Sequence, residues 1–285
     1  MARVQDIATQ IGSLKELLEI VAALRAMAAV QMQQSQRSLD AIRDYSGIIR
    51  SALAEAATLM PEESTSASAG SASSPGLVVF CSEHGFCGAF NEALINAAGE
   101  ASKREQNLRL IFVGTRGAQR ASERGVLPAL ILPMATHSGG VTATARRVTA
   151  ELYLMFIAQT LTSVEVIFTR EAAGRHAELV RLKLLPLEAP IVEKNQTRLT
   201  PIVNMKPRRL FDELAEEYMF AILESAAMES FASENAARFR TMEAAHENIS
   251  NKATELNRTM SRTRQEAVTT EILDLIGGFE AMKPR

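Results

Sequence analysis

Apolar residues recur along the first part of the chain at alternating steps of four and three. Starting from Ile7, this stepping finds apolar residues at all but three places: Ile7, Ile11, Leu14, Leu18, Val21, Arg25, Ala28, Met32, Ser35, Leu39, Ile42, Ser46, Ile49 and Leu53. The spacing is typical of a coiled-coil helix, and no glycine or proline interrupts it between Gly12 and Gly47. It predicts a first helix over residues 4–59, ended by Pro61 and about 80 Å long.

The end of the chain carries a second stripe with the same spacing. It passes through Phe211, Leu214, Tyr218, Ala221, Ser225, Met228, Ala232, Asn235, Phe239, Met242, His246, Ile249, Ala253, Leu256 and Met260, then shifts by one position to Val268, Ile272, Leu275 and Phe279. Residues 208–276 contain no glycine or proline, which predicts one uninterrupted helix. Long helices are stabilised chiefly by burying their apolar stripe, so we expect the two terminal helices to pair antiparallel. The second helix is the longer, and its apolar tip therefore needs a partner outside the chain.

The middle of the chain has a different pattern. Short apolar runs rich in β-branched residues predict strands: LVVFC (77–81), LRLIFVG (108–114), ALIL (129–132) and VEVIFT (164–169). Helical stretches separate these runs, and strands that alternate with helices indicate a small Rossmann-like α/β domain with a mainly parallel sheet. The small, polar segment before the first strand, PEESTSASAGSASSPG, reads as a flexible linker.

The predicted fold class is therefore α/β, with a long antiparallel coiled coil of the terminal helices and an α/β domain inserted between them. The predicted divisions are a coiled-coil helix over 1–60, a linker over 61–76, the α/β domain over 77–206 and a second coiled-coil helix over 207–285.

Composition narrows the possible partners. The formal net charge is −2, and a nucleic-acid partner would require a clustered basic surface, so we expect none. No apolar run approaches the roughly 18–20 residues that span a bilayer, so we expect no direct membrane insertion. Two cysteines do not make a disulfide framework and indicate a reducing compartment.

The segment CSEHGFCGAFN (81–91) is the most suggestive of chemistry. A thiol site would need Cys87 or its neighbour Cys81 activated by His84, and a zinc site would need further ligands at zinc-binding spacing. The alternative is a sharp strand-to-helix turn that Gly85 and Gly88 permit, with Cys87 packing as a small apolar side chain. We favour the structural turn and expect no metal.

Two other features invite functional interpretations. The segment GTRGAQRASERG (114–125) follows a strand, as phosphate-binding loops do, but lacks the lysine and hydroxyl of G-x-x-x-x-G-K-[ST]. We therefore expect no nucleotide or other cofactor. On the second long helix, His246 fits a polar position that sets register, and Arg238 and Glu243 fit a solvated face.

Four collinear segments carry a resemblance to a known family: IGSLKELLEIVAALRAMAAVQM (11–32), SEHGFCGAFN (82–91), ASENAARFRTMEAAHEN (232–248) and RQEAVTTEILDLIGG (264–278). Over essentially its whole length the chain resembles the gamma subunit of rotary F-type ATP synthases. It departs from that family's pattern at Glu83 and His84, where Asp-Arg is usual. It also departs at Ala22, Gln31 and Gln33, where the family generally has lysine or arginine facing acidic parts of the catalytic subunits.

The resemblance implies a rotor shaft in the central stalk of a proton- or sodium-translocating ATP synthase, without a catalytic site of its own. It implies as partners the alpha and beta subunits of the nucleotide-binding ring, an epsilon-like small subunit and the c-ring of the membrane rotor. The implied location is peripheral, on the cytoplasmic face of a bacterial plasma membrane. The residues implied to contact the catalytic ring are Leu24, Arg25, Arg264, Gln265, Val268 and Ile272.

Two other functions remain compatible with the residues alone. One is a coiled-coil scaffold or adaptor, which would form a homodimer instead of recovering catalytic subunits. The other is an enzyme whose α/β domain binds a nucleotide, which would show micromolar affinity for ATP or a dinucleotide.

Overall fold

The computed structural model describes residues 2–59, 74–171, 177–186 and 203–281. Pro61, most of the predicted linker and the side chain of Phe279 lie outside the described part of the chain. The helices are α1 (Ala2–Thr58), α2 (Phe90–Arg104), α3 (Thr115–Glu123), α4 (Val141–Ile157) and α5 (Pro207–Ala281). The strands are β1 (Ser74–Phe80), β2 (Arg109–Val113), β3 (Leu130–Leu132), β4 (Leu161–Arg170) and β5 (Glu178–Leu185).

The five strands form one sheet in the order β3-β2-β1-β4-β5. All neighbours run parallel except β4 and β5, which are antiparallel. The mainly parallel sheet expected from alternating strands and helices is therefore confirmed. The apolar-run criterion missed β5, ELVRLKLL, because this edge strand alternates charged with apolar residues and is largely exposed.

Each face of the sheet is covered by helices. Helices α2 and α3 pack on one face, over a core that includes Leu77, Val79 and Phe112. Helix α4 and parts of α1 and α5 pack on the other, over a core that includes Val78 and Phe168. Alternate residues of β1 thus enter opposite cores, as the two-residue period of a strand requires.

The chain divides into two compact units. One combines residues 1–27 with 239–285, and the other comprises residues 28–238. In the first unit the predicted stripes are the buried sides of both helices: Ile7 and Ile11 of α1 and Met242 and Ala253 of α5 are buried. An ion pair between Arg25 Nη1 and Glu243 Oε2, at 2.8 Å, joins the two helices.

In the second unit, α1 and α5 also contact each other in antiparallel order. Arg43 bonds to Glu229, whereas Tyr45, further along α1, donates to Glu217, earlier on α5. This hydrogen bond to a carboxylate raises the pKa of Tyr45 to about 12, because it favours the neutral phenol. The predicted antiparallel pairing of the terminal helices is confirmed.

The stripe pattern underestimated how deeply α5 is buried. Every residue of α5 from Ala226 to Ala236 is buried, so the helix is enclosed around its whole circumference for about three turns. A coiled-coil stripe would have left the opposite face in water. Small residues, mainly alanine and serine, make up most of this segment and allow close approach on every side.

The glycines after β2 are required by a close approach between chain segments. Gly114 has φ +126°, and a Cβ there would lie 2.3 Å from the carbonyl oxygen of Cys81. A Cβ on Gly117 would lie 2.1 Å from the Cβ of Cys81. The glycine spacing that resembled a phosphate-binding loop is therefore explained by the packing of α3 against the end of β1.

Gly114→Ala should weaken the packing of the segment around Gly114 against Cys81. Backbone strain together with the clash should cost at least about 2 kcal/mol, which corresponds to a roughly 30-fold increase in local opening. The measurement is the labelling rate of Cys81 and Cys87 by a thiol reagent, since both cysteines are buried and the chain contains no others. Gly85→Ala is the matched control, because nothing lies within 4 Å of its added Cβ. Equal labelling rates in the two variants would contradict the assignment.

Candidate functional site

The turn after β1 is held by buried polar contacts. Asn91, at the start of α2, accepts a hydrogen bond from the Ser82 N–H at 3.1 Å and donates to Ser82 Oγ at 2.7 Å. The left-handed backbone conformation falls on Gly88, with φ +58°, and on Phe86, with φ +63°. Gly85 lies outside that region and has open space around it. The segment thus places β1 and α2 in a fixed relation to each other.

Neither thiol in this turn is arranged as a nucleophile. Burial raises the pKa of Cys81 and of Cys87, which disfavours the reactive thiolate. Cys87 Sγ donates a weak hydrogen bond to the backbone carbonyl oxygen of His84, at 3.9 Å. Within the described ranges, no group of three histidine, cysteine or acidic residues is placed to hold a metal ion.

The start of α3 is occupied by a carboxylate from the chain itself. Glu83 accepts hydrogen bonds from the Thr115 N–H at 3.0 Å, the Thr115 hydroxyl at 2.9 Å and the Met134 N–H at 2.8 Å. The first turn of a helix attracts anions through its unpaired N–H groups and its dipole. The position that the sequence suggested for a phosphate therefore holds the Glu83 side chain.

A buried charged pair joins α5 to the same turn. Arg238 pairs with Glu234 one turn earlier, and Arg238 Nε donates to the carbonyl oxygen of Gly85 at 3.3 Å. Only 13% of the Arg238 side chain is exposed, so placing it on a solvated face was wrong. Glu243 is 53% exposed and pairs with Arg25. Burial raises the pKa of Glu234 to about 7, against the opposing effect of Arg238.

Sequence reasoning also missed the other buried polar residues of α5. Glu224 accepts a hydrogen bond from Thr142 at 2.6 Å, and the side chains of Glu229, Ser230 and Ser233 reach other elements. The sequence feature that could have predicted their burial is the high density of small residues around them, which indicates a helix enclosed by its neighbours.

The far part of α5 presents a different surface, which we call the α5 tip. The tip comprises the exposed residues Arg264, Gln265, Val268, Ile272, Leu273, Leu275 and Ile276. Arg264, Val268 and Ile272 follow one another at four-residue intervals and so share a face. The exposed fractions of Val268, Ile272 and Leu275 are 49%, 52% and 66%. Such consecutive exposed aliphatic residues indicate a surface that a partner covers.

On α1, the two residues implied to contact a ring lie in the same unit as the α5 tip. Leu24 and Arg25 are half-buried, and Arg25 is engaged by Glu243. Leu17, Ile20 and Met27 of α1 are exposed. In the other unit, Gln31 is used internally, because its side-chain oxygen accepts a hydrogen bond from the Ser138 N–H at 3.1 Å.

Among the described helices, none has a stretch long and apolar enough to cross a membrane.

Comparisons with known proteins agree over the full chain. A family model described as ATP synthase matches residues 3–282. The ATP synthase gamma chain of Ralstonia nicotianae is 28% identical over 294 residues, which cover 99% of this chain and 100% of the relative. The ATP synthase gamma chain of Desulforamulus reducens is 26% identical over 296 residues, with the same coverage of both chains.

Solved structures of low identity share the fold. A chain in the mitochondrial ATP synthase of Euglena gracilis matches with a TM-score of 0.66 at 14% identity, covering 99% of this chain and 95% of that one. A chain in the central stalk and c-ring structure of the Tetrahymena thermophila mitochondrial ATP synthase matches with a TM-score of 0.58 at 21% identity, covering 79% of this chain and 99% of that one.

Protonation of Glu234 should make the anchorage of α5 pH-dependent. Its folded-state pKa of about 7 lies above its ordinary value of 4.5, so the folded state holds the proton more tightly. This contribution is fully present below pH 4.5 and is lost as the pH rises through about 7; its upper limit is about 3 kcal/mol. Hydrogen-exchange protection of amides 228–238, corrected for intrinsic rates, should therefore fall at least about tenfold from pH 5 to pH 7.5.

Glu234→Gln removes the titrating group and should flatten this pH dependence. Glu243→Gln is the matched control, because Glu243 is an exposed acid on the same helix. A pH slope that survives in Glu234→Gln would show that another group causes it.

The α5 tip should make the isolated chain self-associate. Ile272→Ser with Leu275→Ser should reduce aggregation of the purified chain, because it removes two exposed aliphatic side chains from the tip. Light scattering as a function of concentration measures the effect. Leu127→Ser is the control, since Leu127 is a more exposed residue in the other unit. If the control suppresses aggregation and the tip variant does not, the α5 tip is not the surface that drives self-association.

Proposed function

We propose that this chain, which belongs to the ATP synthase family and is a gamma subunit of the central stalk, is the shaft that turns inside the catalytic ring. In this role it couples proton or sodium flow through the membrane rotor to synthesis and hydrolysis of ATP by the alpha and beta subunits. Full-length similarity to gamma chains, without large gaps in coverage, supports this role.

The observation that carries the proposal is the α5 tip. Its aliphatic residues form an exposed apolar patch near the end of the helix, and such patches are typical of surfaces that a partner covers. A ring of nucleotide-binding subunits supplies such a sleeve. Arg264 and Gln265, exposed at the start of the tip, then donate hydrogen bonds to polar loops of the ring. Leu24, Arg25, Val268 and Ile272 complete the proposed contact set.

The chain is a subunit of an ATP-synthesising complex, and within it we assign no bond-making step to this chain. The buried, protonated thiols and the carboxylate at the start of α3 support this assignment. Energy passes instead through contacts that differ between the conformations of the catalytic subunits. An asymmetric shaft stabilises a different conformation at each site as it turns.

The α/β domain, assigned to residues 77–206, is the part that we propose to dock on the c-ring and on an epsilon-like subunit. Exposed apolar residues on α4 and before β3, namely Leu154, Ile157 and Leu127, support a protein partner there. The gamma subunit is then a peripheral member of a membrane complex. The bacterial origin of the full-length relatives supports the cytoplasmic face of a bacterial plasma membrane.

Arg264→Ala with Gln265→Ala should depress ATP turnover of the assembled complex while its subunits still co-purify. A hydrogen bond made by the charged Arg264 is worth about 1.5–3 kcal/mol, so its loss alone should slow a rotation-limited rate roughly ten- to a hundredfold. Steady-state ATP hydrolysis, normalised to the amount of assembled complex, measures the effect.

Arg262→Ala is the matched control, since Arg262 lies on the same helical turn and pairs with Glu266 one turn later. Wild-type turnover in the double variant would reject Arg264 and Gln265 as ring contacts. A chain that forms a homodimer and recovers no alpha or beta subunits would reject the shaft itself in favour of a scaffold.

A further inference from the structure

Three neighbouring polar side chains of α5 reach three different parts of the α/β unit. We call Glu229, Ser230 and Ser233 the polar lock. Ser230 Oγ donates to the carbonyl oxygen of Phe80, the last residue of β1, at 3.1 Å. Ser233 Oγ donates to the carbonyl oxygen of Thr169, near the end of β4, also at 3.1 Å. Two neighbouring inner strands of the sheet, β1 and β4, are thus bonded directly to one turn of α5.

Glu229 adds a charged contact on the same side of the helix. Its Oε1 atom accepts hydrogen bonds from Arg43 Nε at 3.0 Å and Arg43 Nη2 at 2.6 Å, and lies 3.3 Å from Arg170 Nε. Arg43 belongs to α1 and Arg170 ends β4, so one carboxylate joins three elements. Only 2% of the Glu229 side chain is exposed, whereas the side chains of Arg43 and Arg170 are 47% and 42% exposed, so solvent screens these contacts only from the arginine side.

The lock differs in kind from the apolar packing around it. Apolar contacts resist separation but are non-directional, so small apolar side chains constrain the rotation of a helix about its own axis less sharply than hydrogen bonds do. Hydrogen bonds fail when the donor moves out of line, and therefore fix both the rotation and the axial position of the helix. At about 100° per residue, residues 229, 230 and 233 lie within one sector that faces the ends of β1 and β4.

We propose that the polar lock is the point at which torque passes between the α/β unit and α5. This inference rests on the proposed shaft function and assigns its internal coupling. The lock holds α5 against rotation relative to the sheet, and α5 continues as one helix to Ala281. Force applied to the sheet by a membrane rotor is then carried along the helix instead of being lost as slip. Glu229, Ser230 and Ser233 are positioning residues, because they act through the elements that they join.

The test measures coupling in assembled complexes reconstituted into vesicles. Three single variants, Glu229→Gln, Ser230→Ala and Ser233→Ala, and the double serine variant are compared with wild type. The readout is the ratio of ions pumped to ATP hydrolysed, measured against an opposing ion gradient. After the vesicles are washed free of detached subunits, this ratio does not depend on how much complex assembles.

We expect the double serine variant to keep ATP hydrolysis within a few-fold of wild type and to lose pumping per ATP by about tenfold, because two buried carbonyl groups lose their donors. The singles should show smaller losses in the same direction. Ser225→Ala is the matched control, since Ser225 is a half-buried serine of α5 outside the lock.

The outcomes separate the two proposals. A wild-type ratio in all three single variants overturns the lock, whatever the double variant does, and leaves the shaft function intact. A wild-type complex that hydrolyses ATP but pumps no ions overturns the shaft function itself. A loss of pumping in Ser225→Ala equal to that in the double variant also overturns the lock, because the effect would then be general to the helix.

Discussion

The enclosure of α5 between Ala226 and Ala236 is the constraint on which the rest of the α/β unit depends. A helix buried around its whole circumference has no face on which to leave polar groups in water. Apart from Met228 and Phe231, which join the apolar core, its residues are small enough to admit neighbours on every side, or polar with a fixed partner. Alanine and serine meet the first condition, and Glu229, Glu234 and Asn235 meet the second. The result is one helix that serves as both shaft and core.

The strand-to-helix turn after β1, at the carboxyl end of the sheet, also satisfies its buried polar groups with partners from the chain itself. Glu83 accepts hydrogen bonds from the Thr115 N–H at the start of α3 and from the Met134 N–H after β3, so these two groups need no external anion. The glycines at 114 and 117 let α3 approach Cys81 closely enough for that carboxylate to reach. A motif that invites comparison with nucleotide-binding loops is thereby used for internal packing.

The unit formed by residues 1–27 and 239–285 is not enclosed in this way. Its two helices bury only one stripe against each other, and the α5 tip leaves aliphatic side chains in solvent. A structure of this kind is complete only inside a partner, which agrees with a subunit that turns within a ring. Hydrogen bonds and ion pairs thus fix α5 within the α/β unit, whereas the exposed aliphatic residues of the α5 tip are left for a partner to cover.

The sequence by itself determined the features that depend on local spacing: two long helices, their antiparallel pairing and a mainly parallel α/β domain. Hydrophobic periodicity depends only on the order of residues close together in the sequence, so it can be recognised without knowing what packs against them. Tertiary structure alone decided which charges are buried. Arg238 resembles any exposed helix residue until Gly85, far away in the chain, supplies its acceptor. Likewise Ser230 and Ser233 acquire their roles only from strand ends that lie 150 and 64 residues away, because burial of a polar group depends on the partner that the fold brings to it.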